Sequence, residues 1–239
     1  MKKTLFAGAM LLVIGSGAWA QAPLLPHPEF CSLSQSVVGN VLGQLSSVVK
    51  LNNGGLFSPN KMWAAVVDRK GVLCDVISSD PDAWPGSRAI AIAKAFTANA
   101  FSNSKLALST ANLYGPTQPG GSLYGLNNSN PFNPLFDAQG TGIRFVDGGI
   151  ITFGGGVALY SNGQVIGGLG VSGDTSCADH AIAYRMRAQA SFNGTPSSDN
   201  ISYYAGDPTH DGLITSSVQV DPSQFKQPHC LGAKTDVTP

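Results

Sequence analysis

Charge is the scarcest property of this 239-residue chain, with only 12% of its side chains Asp, Glu, Lys or Arg. Fourteen basic residues balance fourteen acidic ones, and without Lys2 and Lys3 the net charge is about −2. Charge this sparse and balanced gives no footprint for nucleic acid and no pull towards anionic lipid. Histidine is rare too. His27, His180, His210 and His229 include no pair four residues apart, and neither HExxH nor CxxC occurs, which argues against a dedicated zinc site. There is no GxSxG and no other nucleophile motif. Asp207–Gly212 (DPTHDG) lacks the alternating ligands and terminal Glu of a calcium loop. Beyond the first twenty residues no apolar run reaches the 18 or more residues that a membrane span needs. Internal repeats and low-complexity tracts are absent.

What is present begins with a leader. Lys2 and Lys3 supply a positive region, Leu5–Ile14 an apolar core and Ala18-Trp19-Ala20 a small-residue cleavage signal. Residues 1–20 therefore read as a secretory signal peptide, with cleavage near Ala20 and a periplasmic or secreted destination. Residues 21–239 fit a single domain with a long internal loop at 114–140 and a tail at 191–239. An exported chain meets oxidising conditions, so Cys31, Cys74, Cys177 and Cys230 are expected in disulfides. Of the three connectivities, the order of elements favours Cys31–Cys74 and Cys177–Cys230. A helix antiparallel to the first strand brings its start near the second strand, and the tail is most simply pinned to the last helix.

Apolar spacing predicts an amphipathic helix over Ser32–Val49. Met62–Val67 and Val72–Ile77 read as strands joined by Asp68-Arg69-Lys70-Gly71. Ser87–Phe101 is an alanine-rich helix, and Leu106–Leu113 a short second one. Tyr114–Gly140 is a Gly-, Pro- and Asn-rich loop of a length usually reserved for function or a partner surface. Ile143–Val146 is a short strand, Ala178–Ala190 a helix, and Ile201–Tyr204 a strand in the tail. Strands joined by hairpins, with helices between the pairs, predict an α+β domain built on an antiparallel sheet of about five strands.

The richest stretch is Ile151–His180. Two β-type runs flank Ser161-Asn162-Gly163, and Asn-Gly between apolar runs is the strongest short hairpin signal. Gly168 to Gly173 matches GxGxxG between a strand and a helix. The following helix leads into a polar tail rather than a second buried parallel strand, so a dinucleotide site is excluded. The helix start after Gly173 remains either an anion site or a plain cap by Asp174, Thr175 or Ser176. Gly154, Gly155 and Gly156, read as part of a strand after Thr152 and Phe153, signal a bulge or a close backbone approach. What approaches is a ligand, a packed helix or a neighbouring subunit. Asp179-His180 reads as a ligand, a base or a local hydrogen-bonded pair. Trp84, with Arg88 at the start of the alanine-rich helix, places an aromatic and a cation beside the hairpin. Arg88 and Lys94 are six residues apart and so lie on different helix faces.

The alanine-rich helix with Lys94 and Thr97, the run TFGGGVALY at Thr152–Tyr160 and QVIGGLGVSGDTSCADHAIA at Gln164–Ala183 together resemble the GlcG/HbpS-like family (the DUF336 domain). The resemblance covers about Ser32 to Arg187. It implies an antiparallel sheet flanked by helices in profilin-like layering, a tendency to form homo-oligomers, and binding of haem or a related tetrapyrrole. It further implies a threonine as iron ligand, for which Thr152 is the candidate; in a haem site built from these residues, His180 is the other axial candidate, Phe153 an apolar wall and Arg88 or Lys94 a charge partner for a propionate. The long loop, the WPGSR motif and the cysteine-pinned tail depart from short family members. The alternative is an enzyme acting on a small organic acid or aromatic compound. There Arg88 clamps a carboxylate, the Gly173–Ser176 amides meet developing charge and Asp179-His180 moves protons.

Overall fold

The computed structural model describes residues 30–129, 149–194, 199–201, 203 and 227. The leader, the expected strand at Ile143–Val146, Cys230 and most of the tail lie outside them.

The chain enters through α1 (Gln35–Gly43) and α2 (Leu45–Val48). Ser34 caps α1 by accepting from the Val37 amide. The single helix expected over Ser32–Val49 is thus two, separated at Gln44, with Val41, Leu42, Leu45 and Val48 still on one buried face. Strands β1 (Trp63–Asp68) and β2 (Leu73–Ser78) form the first hairpin. Buried Asp68 organises its turn. Its carboxylate accepts from the Lys70 and Val72 amides and from both the amide and hydroxyl of Ser32, so the turn also holds the start of the chain. The Cys31–Cys74 disulfide fastens the same corner, as expected.

The alanine-rich helix α3 spans Ser87–Ala100. A four-residue helix, α4 (Tyr114–Thr117), and a 3-10 turn at Leu126–Asn128 give the start of the long loop regular structure. Strands β3 (Gly156–Ser161) and β4 (Gln164–Ser172) form the second hairpin, and α5 runs over Ser176–Gln189. Asn162 and Gly163 both take positive φ, 50° and 75°, as a two-residue turn matched to strand twist requires.

The described strands make one antiparallel sheet in the order β2-β1-β4-β3. That is four strands where about five were expected. In the tail, the described residues show one isolated bridge, Tyr203 to Gln227. Alternation along the strands divides the core. Ala64, Val66, Val157, Leu159, Leu169 and Val171 face α1, α2 and α5. Ala65, Val67 and Leu73 face Ala91, Ile92 and Ala95 of α3 on the other side. The result is a three-layer α/β/α sandwich.

The second hairpin is glycine-rich because of α3. A Cβ on Gly170 would lie 1.9 Å from the Ala91 carbonyl oxygen, and one on Gly168 would lie 2.1 Å from that of Ala95. A Cβ on Gly156 would lie 2.5 Å from the Lys94 oxygen. Bare backbone on the sheet and alanine on the helix bring the two layers into close contact.

Leu106–Leu113 is not a helix. Asn103 Oδ1 accepts from the Lys105 and Leu106 amides, and Asn112 Oδ1 accepts from the Ser109 amide. These short polar side chains compete with helical bonding. The freed backbone then covers the sheet edge: Thr110 donates its amide to Gly156 O, and Gly156 N donates to Thr110 Oγ1. Further along the same edge, Tyr160 N donates to Phe192 O and Arg187 donates to Ala158 O.

Candidate functional site

The seam where α3, the 149–155 segment and the start of α5 meet collects most of the residues the sequence singled out. Thr97, on α3, accepts from the Ile151 amide at 3.1 Å and so sets the segment's path. Only Gly156 belongs to β3. Thr152 to Gly155 precede the strand, a correction to the strand expected through all three glycines. Gly155, at φ 123°, holds a backbone conformation that side chains rarely adopt.

Lys94 projects from the middle of α3 and is fully buried. Its ammonium donates to Asp179 Oδ2 at 2.6 Å and to the Val171 carbonyl at 3.1 Å, and lies 4.6 Å from the centre of the Phe153 ring. Asp179, in the first turn of α5, is equally buried and accepts the Asp174 amide on its other oxygen at 3.0 Å. Burial pushes the Asp179 carboxyl up to about 6 against the pull of Lys94, and burial likewise lowers Lys94. Both charges are held by mutual contact and added hydrogen bonds, the condition for an ion pair out of water.

Three glycine contacts seal this pair and its surroundings. A Cβ at Gly155 would meet Lys94 Nζ at 2.8 Å, and one at Gly154 would meet the Ser176 oxygen at 2.3 Å and His180 Cβ at 3.0 Å. Gly156 lies on α3. The Cβ positions of Gly154–Gly156 thus face α3, β4 and α5 of the protein itself, as the packed-helix reading expects.

The start of α5 is similarly self-occupied. Thr175 is the cap, accepting from the Ala178 amide. Asp174 accepts from the Leu56, Phe57 and Thr175 amides and from Asn60 Nδ2. The Asp174 and Thr175 amides are thus already bonded, which removes them as donors to a developing oxyanion. Asp174 fastens the 54–60 loop here, and the sequence offered it only as a cap.

His180 stands apart. It is fully buried, yet neither Nδ1 nor Nε2 has a hydrogen-bond partner among the described residues. Burial, aided by the Arg187 and Lys94 charges, lowers it to about 3, so the imidazole is neutral. Its ring lies 6.0 Å from that of Tyr184. On the same side of α5, Arg187 makes a buried, two-pronged ion pair with Asp199 and binds Asn193. At the opposite end, Gln227 donates to Ser176 Oγ, and Cys177, itself disulfide-bonded, has the Tyr203 hydroxyl 3.0 Å from its sulfur. The Asp199 and Gln227 contacts were not read from the sequence, because neither residue carries a motif, and Gln227 reaches Ser176 across 51 positions.

Thr152 is buried beside Phe153. Trp84 is half exposed and packs edge-on against Phe57 at 5.7 Å, which places it on the 54–60 loop rather than on Lys94. Arg88 sits in the first turn of α3. The structure thus brings together Lys94, Phe153, Gly154, Gly155, Asp179 and His180, and packs Trp84 on Phe57 instead.

The family described as haem degrading protein HbpS-like matches residues 58–188, which take in the first hairpin, α3, the second hairpin and nearly all of α5. The corrinoid adenosyltransferase PduO of Citrobacter freundii is 36% identical over 108 residues, 43% of this chain and 26% of that protein. The chain therefore spans about a quarter of this curated relative. Among solved structures, the Klebsiella pneumoniae protein ORFY, of the DUF336 family, superposes with a TM-score of 0.51 at 23% identity, over 71% of this chain and 98% of that one. That likeness establishes the fold. A PduOC:heme complex superposes with a TM-score of 0.49 at 27% identity, over 66% of this chain and 94% of the other.

Proposed function

Since the chain belongs to the HbpS-like family, we propose that it is an exported binding protein for haem or a related tetrapyrrole. The observation that carries this reading is the buried, neutral imidazole of His180 with both nitrogens unpartnered. A buried polar group without a partner costs about 1–3 kcal/mol. A neutral imidazole is also the usual protein donor to haem iron and other transition metals. The residues present therefore fit the group. His180 would hold the metal, with Thr152 the other candidate, and Phe153 would supply an apolar wall. A bound haem contributes a metal centre open to redox and small-molecule chemistry.

The remaining residues hold the frame. Lys94 and Asp179 fix α5 against α3, and Thr97 fixes the 149–151 segment, so His180 is presented on a rigid element. His180 has no solvent exposure, so a ligand reaches it by displacing what covers it, of which Gly154 is a part. Titration of the protein with hemin is expected to shift the Soret band and saturate at a defined stoichiometry. His180→Ala should abolish the shift, whereas Thr152→Val should leave it. A flat, non-saturating response removes the reading.

Export rests on the leader, and the Cys31–Cys74 disulfide suits an oxidising compartment. Amino-terminal sequencing of the protein from its host should begin near Gln21. Assembly into a homo-oligomer is supported by sparse charge and by exposed Phe30, Leu56, Trp84 and Tyr124. Light scattering that gives a monomer mass rules that out. The organic-acid enzyme is the weaker reading, because the Asp174 and Thr175 amides are already bonded.

A further inference from the structure

Three polar side chains at the start of α3 and the adjoining end of the sheet make no hydrogen bond among the described residues. Trp63 opens β1 and packs on the α3 side of the sheet, with its Nε1 buried and unpartnered. Ser87 opens α3 and Ser172 closes β4. They are 6% and 4% exposed, and neither hydroxyl bonds a described residue. Buried polar groups are nearly always paired, so each of the three is matched by water or by a ligand.

The fold sets them side by side. Trp63 and Ser172 are direct partners across the β1–β4 ladder, so their Cβ atoms lie about 5 Å apart on one face of the sheet. Alternation puts Gly168 and Gly170 on that face too. A Cβ on Gly168 would meet the Ala95 oxygen, and one on Gly170 the Ala91 oxygen. Two residues of strand, about 6.8 Å, therefore keep step with four residues of helix, about 6 Å. One further step along both elements brings Ser172 beneath Ser87. The two hydroxyls do not bond each other, so a gap separates them, with the Trp63 indole alongside.

The groups around this gap are a set of donors. An indole N–H can only donate, and a serine hydroxyl can donate. Ser87 also stands at the positive end of a fourteen-residue helix whose cap, Gly86, has no side chain and whose first turn holds no acid. Such a helix start favours negative charge. We propose that Trp63, Ser87 and Ser172 form a binding site for the carboxylate of a small organic acid, with one oxygen on Ser87 of the helix and the other on Ser172 and Trp63 of the sheet. The set contains no cation, which suits the single charge of a carboxylate better than the two of a phosphate. The site stands apart from the tetrapyrrole reading, since none of the three residues lies on α5 or in the 149–155 segment. It assigns the binding of an acid and no chemical step on it.

Trp63 is its own reporter. The chain has three tryptophans, and Trp19 belongs to the leader, so the full mature protein carrying Trp84→Phe fluoresces from Trp63 alone. Its emission is followed at constant ionic strength as sodium acetate, sodium propionate or acetamide is added. A carboxylate is expected to shift the emission and to saturate, whereas acetamide, neutral and of the same shape as acetate, should give no saturable change. Ser87→Ala with Ser172→Ala should weaken carboxylate binding at least about tenfold, the scale of one charge-assisted hydrogen bond. Circular dichroism checks that this variant folds, and if it does not, Ser87→Ala alone, at the first position of the helix, should still show part of the loss. Failure of both acetate and propionate to saturate overturns the proposal. So does acetamide or sulfate binding as tightly as acetate, or an affinity unchanged in the folded serine variants. A crystal structure of protein grown in acetate with only water between Ser87 and Ser172 overturns it as well.

Discussion

Lys94 of α3 and Asp179 of α5 meet at 2.6 Å with neither side chain exposed to water, joining helices on opposite faces of the sheet past its glycine-rich edge. Removing one partner leaves an uncompensated buried charge, so Lys94→Met or Asp179→Leu alone should each cost about 3–5 kcal/mol. The double variant should recover much of that loss, because no charge is then left behind. Denaturant unfolding of the four proteins in a double-mutant cycle measures the coupling. Additive losses would mean that the two side chains act independently.

His180 predicts a specific acid sensitivity. In the folded protein its imidazole is held neutral, with its pKa lowered from 6.5 to about 3, chiefly by burial. Below pH 6.5 the unfolded chain takes up a proton that the folded chain refuses, so stability falls as pH falls, and the loss continues down to about pH 3. Above pH 6.5 this contribution is constant. The slope attributable to His180 approaches about 1.4 kcal/mol per pH unit within that window. Asp179, raised to about 6, acts in the opposite sense over the same window in both proteins, so His180→Phe, measured without ligand, should diverge from the wild type between pH 6 and 4, losing less stability as pH falls. Parallel profiles for the two proteins would show that His180 is not held neutral.

How far the fold could be read in advance divides along physical lines. The β-hairpins at Asp68–Gly71 and Asn162–Gly163, α3 and α5 all appeared where local pattern placed them, because turn chemistry and alternation are local properties. The Cys31–Cys74 link followed from the order of elements. Leu106–Leu113 went wrong because Asn103, Ser109 and Asn112 bond the local backbone, while Thr110 serves the edge of β3. Gly154–Gly156 were read as a bulge or a close backbone approach, and close approach is what they make. That they approach α3, Lys94 and α5 depends on contacts across the sandwich, which one sequence does not display. Lys94 was read as a helix charge and a charge partner for a ligand; its pairing with Asp179 spans 85 positions. Gln227 carried no local signal at all.

The Cys31–Cys74 disulfide closes a separation of 43 residues, linking the approach to α1 with β2. On the chain-entropy account a loop of this size is worth about 4 kcal/mol, with smaller values common in practice. Replacing both cysteines by serine should therefore lower unfolding free energy by about 2–4 kcal/mol. It should also loosen Ser32 from Asp68, which hydrogen exchange at the 68–72 turn would register. An unchanged denaturation midpoint would assign the corner's stability to Asp68 instead.

Two glycines offer the sharpest contrast in packing. Gly43, at the end of α1, has nothing within 4 Å of where a Cβ would sit. Alanine there should be neutral or stabilise by up to about 1 kcal/mol through helix propensity and reduced freedom of the unfolded chain. A Cβ on Gly170 would lie 1.9 Å from the Ala91 oxygen and 2.4 Å from the Ala95 nitrogen, both backbone atoms of α3 that no rotamer change can move. Gly170→Ala must push α3 off the sheet, and the displacement carries Lys94 away from Asp179. The loss should reach at least the about 1–3 kcal/mol typical of overpacking, with part of the ion-pair energy added. Comparing Gly170→Ala in the wild type with the same change in the Lys94→Met, Asp179→Leu background isolates that added part. If Gly170→Ala costs the same in both backgrounds, α3 absorbs the methyl without disturbing the pair, and the close helix–sheet contact is not what aligns Lys94 with Asp179.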